Sequence, residues 1–152
     1  MSEKVDDLIS ELSSDLATSG SARVIIPCTH IYLEHLMNQI LEQNLPAVEY
    51  QRIQTDRHFG FRRKLDRLQV MQREINGKNY PMLSNDEFND LDLINEIRND
   101  FVHNLKPDLE IINQKIFDGL HFHVFNQNRN PVEAILYDMV QLMELLGRKI
   151  RH

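Results

Sequence analysis

Apolar residues recur three and four positions apart along almost the whole chain, a spacing typical of amphipathic α-helices. Only the segment "GLHFHVF", residues 119–125, alternates as a strand does, and it is too short to carry a sheet. The sequence therefore predicts an all-α, single-domain bundle of about five helices. The predicted helices cover about residues 3–18, 22–43, 61–75, 84–104 and 130–152, with a short helical piece at 110–117.

Local signals mark the ends of three of these helices. In "SNDE", Ser84 and Glu87 have the spacing of a capping box, which predicts a helix start. In "NPVE", Asn130 is a suitable N-cap and Pro131 suits the first helical position. The turn signal Asn76-Gly77 is expected to close the third helix.

The length of 152 residues fits one domain, residues 1–152, with no internal repeat and no low-complexity linker. No stretch resembles a membrane span, and the acidic start "MSEKVDDLIS" lacks the basic and apolar parts of a secretory signal. The single cysteine, Cys28, excludes an internal disulfide and fits a reducing compartment. We therefore expect a cytoplasmic protein that does not enter a membrane.

Histidines give no convincing metal site. His121 and His123 would point to the same face of a strand, but no third ligand follows near them. His30 and His35 fall on different faces of the second helix. The sequence therefore predicts no metal and no cofactor.

The net charge of −6 argues against a protein that coats nucleic acid, because phosphate binding depends on Lys and Arg. Positive charge is nevertheless concentrated in the segment "DRHFGFRRKLDR", residues 56–67. Such a patch can hold a short stretch of RNA, or it can be a solvated helix face, and both interpretations stay open. Its basic residues are Arg57, Arg62, Arg63, Lys64 and Arg67.

The fourth predicted helix carries a cation on its apolar side. On a helical wheel at about 100° per residue, Arg98 falls in the sector of Ile94 and Phe101. Burying an unpaired guanidinium costs several kcal/mol, so Arg98 needs a partner, water or a cleft. An adjoining polar stripe borders this sector, and it consists of Asp92, Asn95, Asn99 and His103.

The stretch "IRNDFVHN" resembles the signature of the HEPN domains, small all-α proteins with the motif Arg, four to six residues, then His. Arg98, Asn99 and His103 match its Arg, its adjacent polar residue and its His. Together with "FGFRRKLDRLQVM", the arrangement is similar to the MltR-like branch, the relatives of the mannitol operon repressor. The resemblance covers about residues 57–104. Leu105 departs from the toxin-like members, several of which have a tyrosine there.

The resemblance implies a metal-independent endoribonuclease of the toxin or defence kind that acts as a homodimer. Arg98 would clamp the phosphate in the transition state, His103 would transfer a proton during attack by the RNA 2′-hydroxyl, and Asn99 would position the substrate. The basic residues 57–67 would hold flanking phosphates. A toxin of this family further implies an antitoxin partner, often a nucleotidyltransferase-like protein.

The alternative is a non-catalytic, MltR-like transcriptional regulator or protein-interaction module. In that case Arg98 pairs with a carboxylate such as Glu34 or Asp92, and His103 stabilises the carboxyl end of its helix. The two interpretations differ in a structural expectation. A regulator buries and pairs the motif residues, whereas a nuclease exposes them in a groove lined by the basic patch.

Arg98 and His103 are about 140° apart on a regular helix and cannot meet side by side. They converge on one ligand only if the helix loosens near Asn104, or if two copies of the helix face each other across a dimer axis. The acid and the base of an RNA-cleaving site would then come from two protomers, or water would serve as one of them.

Overall fold

The structure is a computed structural model that describes residues 22–103, 114–116 and 131–151, together with positions 7, 10, 11 and 14. Within these ranges the side chains of residues 22–24, 101–103 and 131–134 are outside the description. The described part is mostly helical, as predicted. Its elements are α1 (Ala22–Asn44), α2 (Ala47–Thr55), α3 (Phe61–Gln69), β1 (Gln72–Ile75), β2 (Lys78–Pro81), α4 (Asn85–His103) and α5 (Pro131–Gly147).

Helix α1 is the centre of the bundle, since it contacts each of the other four described helices. Its inner face supplies a run of side chains with no solvent exposure, and α5 packs its own apolar face along this run. Pro27 lies inside α1, beyond the first turn, where it removes one backbone hydrogen bond of the helix. The apolar residues of α1 with no exposed surface are Leu33, Leu36, Met37, Ile40 and Leu41.

Helix α4 begins as the capping-box pattern predicts. The Ser84 hydroxyl accepts a hydrogen bond from the Glu87 backbone N–H at 3.1 Å, and the Ser84 backbone N–H donates to the Glu87 carboxylate at 2.9 Å. The buried ammonium of Lys149 also donates to Glu87, at 3.1 Å. Burial raises the pKa of Glu87, but these bonds outweigh it and leave the pKa below its ordinary value. The start of α4 is thus fixed to the residues that follow α5.

The predicted third helix is wrong in its second half. α3 ends at Gln69, and the residues up to Pro81 form an antiparallel hairpin with Ile75 opposite Lys78. Asn76 and Gly77 both have positive φ, 52° and 80°, as a two-residue hairpin turn of the Asn-Gly kind requires. The hairpin side chains are largely exposed, so no burial pattern in the sequence distinguished a strand from a helix.

Helix α2 was not predicted at all. It has nine residues and buries only Ile53, which gives too few apolar positions for a periodicity to emerge. The segments that carry the predicted helix at 3–18, the piece at 110–117 and the alternating residues 119–125 lie largely or wholly outside the described residues. In the first two, positions 7, 10, 11, 14 and 114–116 are described and are helical.

Candidate functional site

Two residues of the polar stripe of α4, Asp92 and Asn95, face α3 and α1, whereas Asn99 is exposed. Asp92 accepts a hydrogen bond from Arg62 at 2.8 Å, and Asn95 is bonded to the ring of His30 at 3.0 Å. Asn99 accepts one from the guanidinium of Arg98 at 3.3 Å. Asp92 and Asn95 therefore lie at the border of the core, as the helical wheel predicts for the stripe.

A pocket of about 370 Å³ opens between these three helices, and we call it the basic pocket. It has one wall from α1, one from the residues before α3 and its first turn, and one from α4. The residues that line it are His30 and Glu34 of α1, then His58, Gly60, Phe61, Arg62 and Arg63, and Asn95, Arg98 and Asn99 of α4.

His30 is the least exposed polar group of the basic pocket, with 4% of its surface accessible. Its ring stacks on Phe61 with centroids 4.1 Å apart, and its Nε2 is hydrogen-bonded to Asn95. Burial lowers the pKa of His30, and the positive charge of Arg98 lowers it further, against the opposing effects of Asn95 and Glu34. The folded environment therefore favours the neutral imidazole.

Sequence reasoning missed His30, although a signal was present. His30 follows Ile26 by four positions and precedes Leu33 by three, so it belongs to the buried face of α1. A histidine on such a face needs a polar partner from a neighbouring helix. Asn95 of the polar stripe is that partner.

Two charged side chains that line the basic pocket, those of Glu34 and Arg62, have partners of opposite charge within ion-pair distance. Glu34 receives a bond of 2.7 Å from Lys64, whose side chain is only 8% exposed. Arg62 is bonded to both Asp92 and Asp66. Neither Glu34 nor Asp92, the two examples that the alternative interpretation gives, forms an ion pair with Arg98.

Arg98 and Arg63 differ from Arg62. Among the described residues, neither has a carboxylate within ion-pair distance, and the only hydrogen bond of the Arg98 guanidinium is the one to Asn99. Arg63 is exposed and Arg98 is partly buried. The basic pocket therefore contains two guanidinium groups that form no ion pair with a described acidic group.

The first turn of α3 adds a further attraction for anions. Gly60, at the N-cap, makes no side-chain capping bond, and the first helical N–H with a described backbone acceptor is that of Lys64. The free N–H groups and the helix dipole make such an end favourable for negative charge. Gly60 and Phe61 place this end at the basic pocket.

The predicted RNA-binding residues do not form one surface. Arg62 and Arg63 line the basic pocket, whereas Lys64 is buried in its ion pair with Glu34. Arg67 binds Glu49 at 3.0 Å in a separate depression of about 270 Å³. Arg57 is exposed and lines neither. The charge pattern in the sequence did not show which of these side chains line the pocket, because the direction of each side chain depends on how α3 packs.

Of the predicted catalytic residues, Arg98 and Asn99 lie side by side in the basic pocket. His103 is the last residue of α4, and its side chain lies outside the described residues. His121 and His123 also lie outside them. Within the described part of the chain, no three His, Cys, Asp or Glu side chains are grouped as metal ligands.

No helix among the described residues combines the length and the apolar character that crossing a bilayer demands.

The low pKa of His30 predicts a pH-dependent stability. The unfolded chain takes up this proton near the ordinary value of 6.5, whereas the folded chain takes it up only at lower pH. The free energy of unfolding should therefore fall as the pH falls from 6.5 towards the folded-state pKa. Urea unfolding between neutral and mildly acidic pH measures this loss of stability. The loss should be smaller in the variant His30→Asn. If His35→Asn, at an exposed histidine of the same helix, makes the loss smaller to the same extent, the pH dependence does not come from His30.

No protein-family model, no curated protein and no solved structure matches this chain. Function is therefore inferred from the side chains of the basic pocket and from the motif of α4.

Proposed function

We propose that the chain is a metal-independent endoribonuclease of the HEPN type, cytoplasmic and homodimeric, with a toxin or defence role. The observation that carries the proposal is the position of Arg98. Its guanidinium lines an open pocket beside Asn99 and Arg63 and is not consumed by an ion pair with Glu34 or Asp92. A structural arginine in a regulator would be paired.

The proposed reaction uses the RNA as its own nucleophile. His103 takes the proton of the ribose 2′-hydroxyl, whose oxygen bonds to phosphorus while the bond from phosphorus to the 5′-oxygen breaks. The leaving 5′-oxygen receives a proton from the same histidine of a second protomer or from water. The products are a 2′,3′-cyclic phosphate and a free 5′-hydroxyl.

Arg98 and Asn99 would act on the phosphate. Negative charge on the non-bridging oxygens grows as the 2′-oxygen attacks, and the planar fork of an arginine can donate two hydrogen bonds to them. Because this additional charge exists only near the transition state, the interaction accelerates the reaction more than it tightens substrate binding. Asn99 holds the guanidinium of Arg98 in place through its amide oxygen.

The first test is incubation of the pure protein with labelled single-stranded and structured RNA in the presence of EDTA. We expect cleavage that leaves a cyclic phosphate, and we expect His103→Ala to abolish it. Unfolding curves of both proteins control for loss of the fold. If the wild type is inert while folded and dimeric, the nuclease proposal fails, and the motif belongs to a regulatory or protein-binding module instead. Co-purification with a nucleotidyltransferase-like protein would support the toxin role.

A further inference from the structure

The charges around the basic pocket do not cancel. Lys64 neutralises Glu34, whereas Asp66 and Asp92 both bind Arg62 and leave one negative charge there. Arg63 of α3 and Arg98 of α4 add two guanidinium groups that line the same pocket and have no ion pair among the described residues. The sum of these charges is positive, and two unpaired guanidinium groups favour a ligand whose anionic oxygens can bind both.

The acceptors in the lining, the Glu34 carboxylate and the Asn95 and Asn99 amide oxygens, already have partners, and the groups that remain at the opening are mainly donors. The guanidinium groups donate only, and the free N–H groups at the start of α3 donate from the side of Gly60. His58, also at the rim, adds a ring nitrogen. A compact anion with several acceptor oxygens satisfies such a set, and a phosphate group has this chemistry.

We propose that the basic pocket is a binding site for a phosphate monoester dianion, held between Arg63 and Arg98 at the N-terminus of α3. The ligand is the terminal phosphate of a nucleotide or an RNA end, or free phosphate, all of which present the same group. The site shares Arg98 with the proposed reaction but does not depend on cleavage.

A monoester fits better than an internal phosphodiester because of its charge. A phosphate monoester carries about −1.5 to −2 at neutral pH, whereas a diester carries a single charge in its ground state. A diester acquires its second charge only as the 2′-oxygen attacks. A bound monoester would thus compete with RNA for Arg98, and it would resemble the charge of the transition state more than that of the substrate.

The test is calorimetric titration of the full chain with inorganic phosphate and with adenosine 5′-monophosphate at neutral pH and low salt. We expect saturable binding of a single phosphate group. Arg63→Gln and Arg98→Gln should each weaken it between about 10- and 100-fold, since each removes a charge-assisted hydrogen bond. Arg63 is exposed, so Arg63→Gln is expected to fold as the wild type does.

The matched control is Arg148→Gln, which removes an exposed arginine outside the basic pocket and should change the affinity less than about twofold. Tighter binding of the nucleotide identifies a nucleotide end as the ligand, and equal binding identifies free phosphate; both support the site. Absence of saturable binding, or equal losses in Arg148→Gln and Arg63→Gln, overturns it. A dinucleoside monophosphate without a terminal phosphate that binds as tightly as the mononucleotide overturns the preference for a dianion.

The two proposals can fail separately. A chain that binds phosphate through Arg63 and Arg98 but cleaves no RNA keeps this site and loses the nuclease function. A chain that cleaves RNA but shows no saturable phosphate binding keeps the nuclease function and loses this site.

Discussion

Glu34→Ala is expected to lower the free energy of unfolding by about 2–3 kcal/mol. The substitution removes the one described carboxylate that binds the ammonium of Lys64, at 2.7 Å, and leaves a charge whose side chain is 8% exposed. Breaking a buried pair on one side typically costs about 3–5 kcal/mol, because the remaining charge has lost its solvent and its partner. The expected loss lies below that range because the Glu34 side chain is 33% exposed and lines the basic pocket, through which water can reach the ammonium.

Two variants make this measurement specific. Adding Lys64→Met to Glu34→Ala removes the stranded charge and should recover most of the loss. Asp66→Ala breaks the exposed pair with Arg62, in which both side chains are more than half exposed, and should cost less than about 1 kcal/mol. Urea unfolding measures all of them. A loss for Glu34→Ala no larger than that for Asp66→Ala would show that Lys64 is solvated in the folded chain.

Arg98→Ala is expected to lower the rate constant of RNA cleavage by about two to three orders of magnitude, with a much smaller change in KM. Arg98→Lys keeps the positive charge but loses the planar fork, so it should recover only part of this rate. The measurement is single-turnover cleavage of a labelled RNA with the enzyme in excess.

The control for Arg98 is Arg148→Ala, at an exposed position outside the basic pocket, which should leave the rate unchanged. Because the described contacts of Arg98 include no ion pair, its removal should change the free energy of unfolding by less than about 0.5 kcal/mol. Full activity of Arg98→Lys would contradict a role for the bidentate fork. Loss of activity that parallels loss of folding would contradict a role in the reaction.

The sequence predicted the elements whose signals are local or periodic. The capping box at Ser84 and Glu87 starts α4, and helices form at α1 and α5, where the apolar spacing predicts them. The polar stripe of α4 was also visible, because a helical wheel needs only the sequence of that helix. Asp92 and Asn95 border the core as expected.

The contacts between helices were not predictable in the same way. Whether Lys64 points to solvent or to Glu34 depends on how α3 packs on α1, thirty positions apart in the chain. The same applies to His30 and Asn95, which are 65 positions apart. Each helix on its own allows several partners for a polar side chain, and only the packing selects one. The hairpin and α2 were missed for a different reason, since they bury too little to leave a pattern.

The hairpin gives two walls of the basic pocket a short covalent connection. Its base is closed by the hydrogen bond from Met82 N–H to the Met71 carbonyl, so the chain leaves α3 and returns to α4 across a ladder of only four residue pairs. The hairpin ladder thus holds the end of α3 close to the start of α4, which limits how far the walls that carry Arg63 and Arg98 can separate. The wall that contains His30 has no such ladder, since the chain between His30 and Phe61 passes through α2. Its position relative to the two arginines is therefore set by the packing of α1 on α3 and α4.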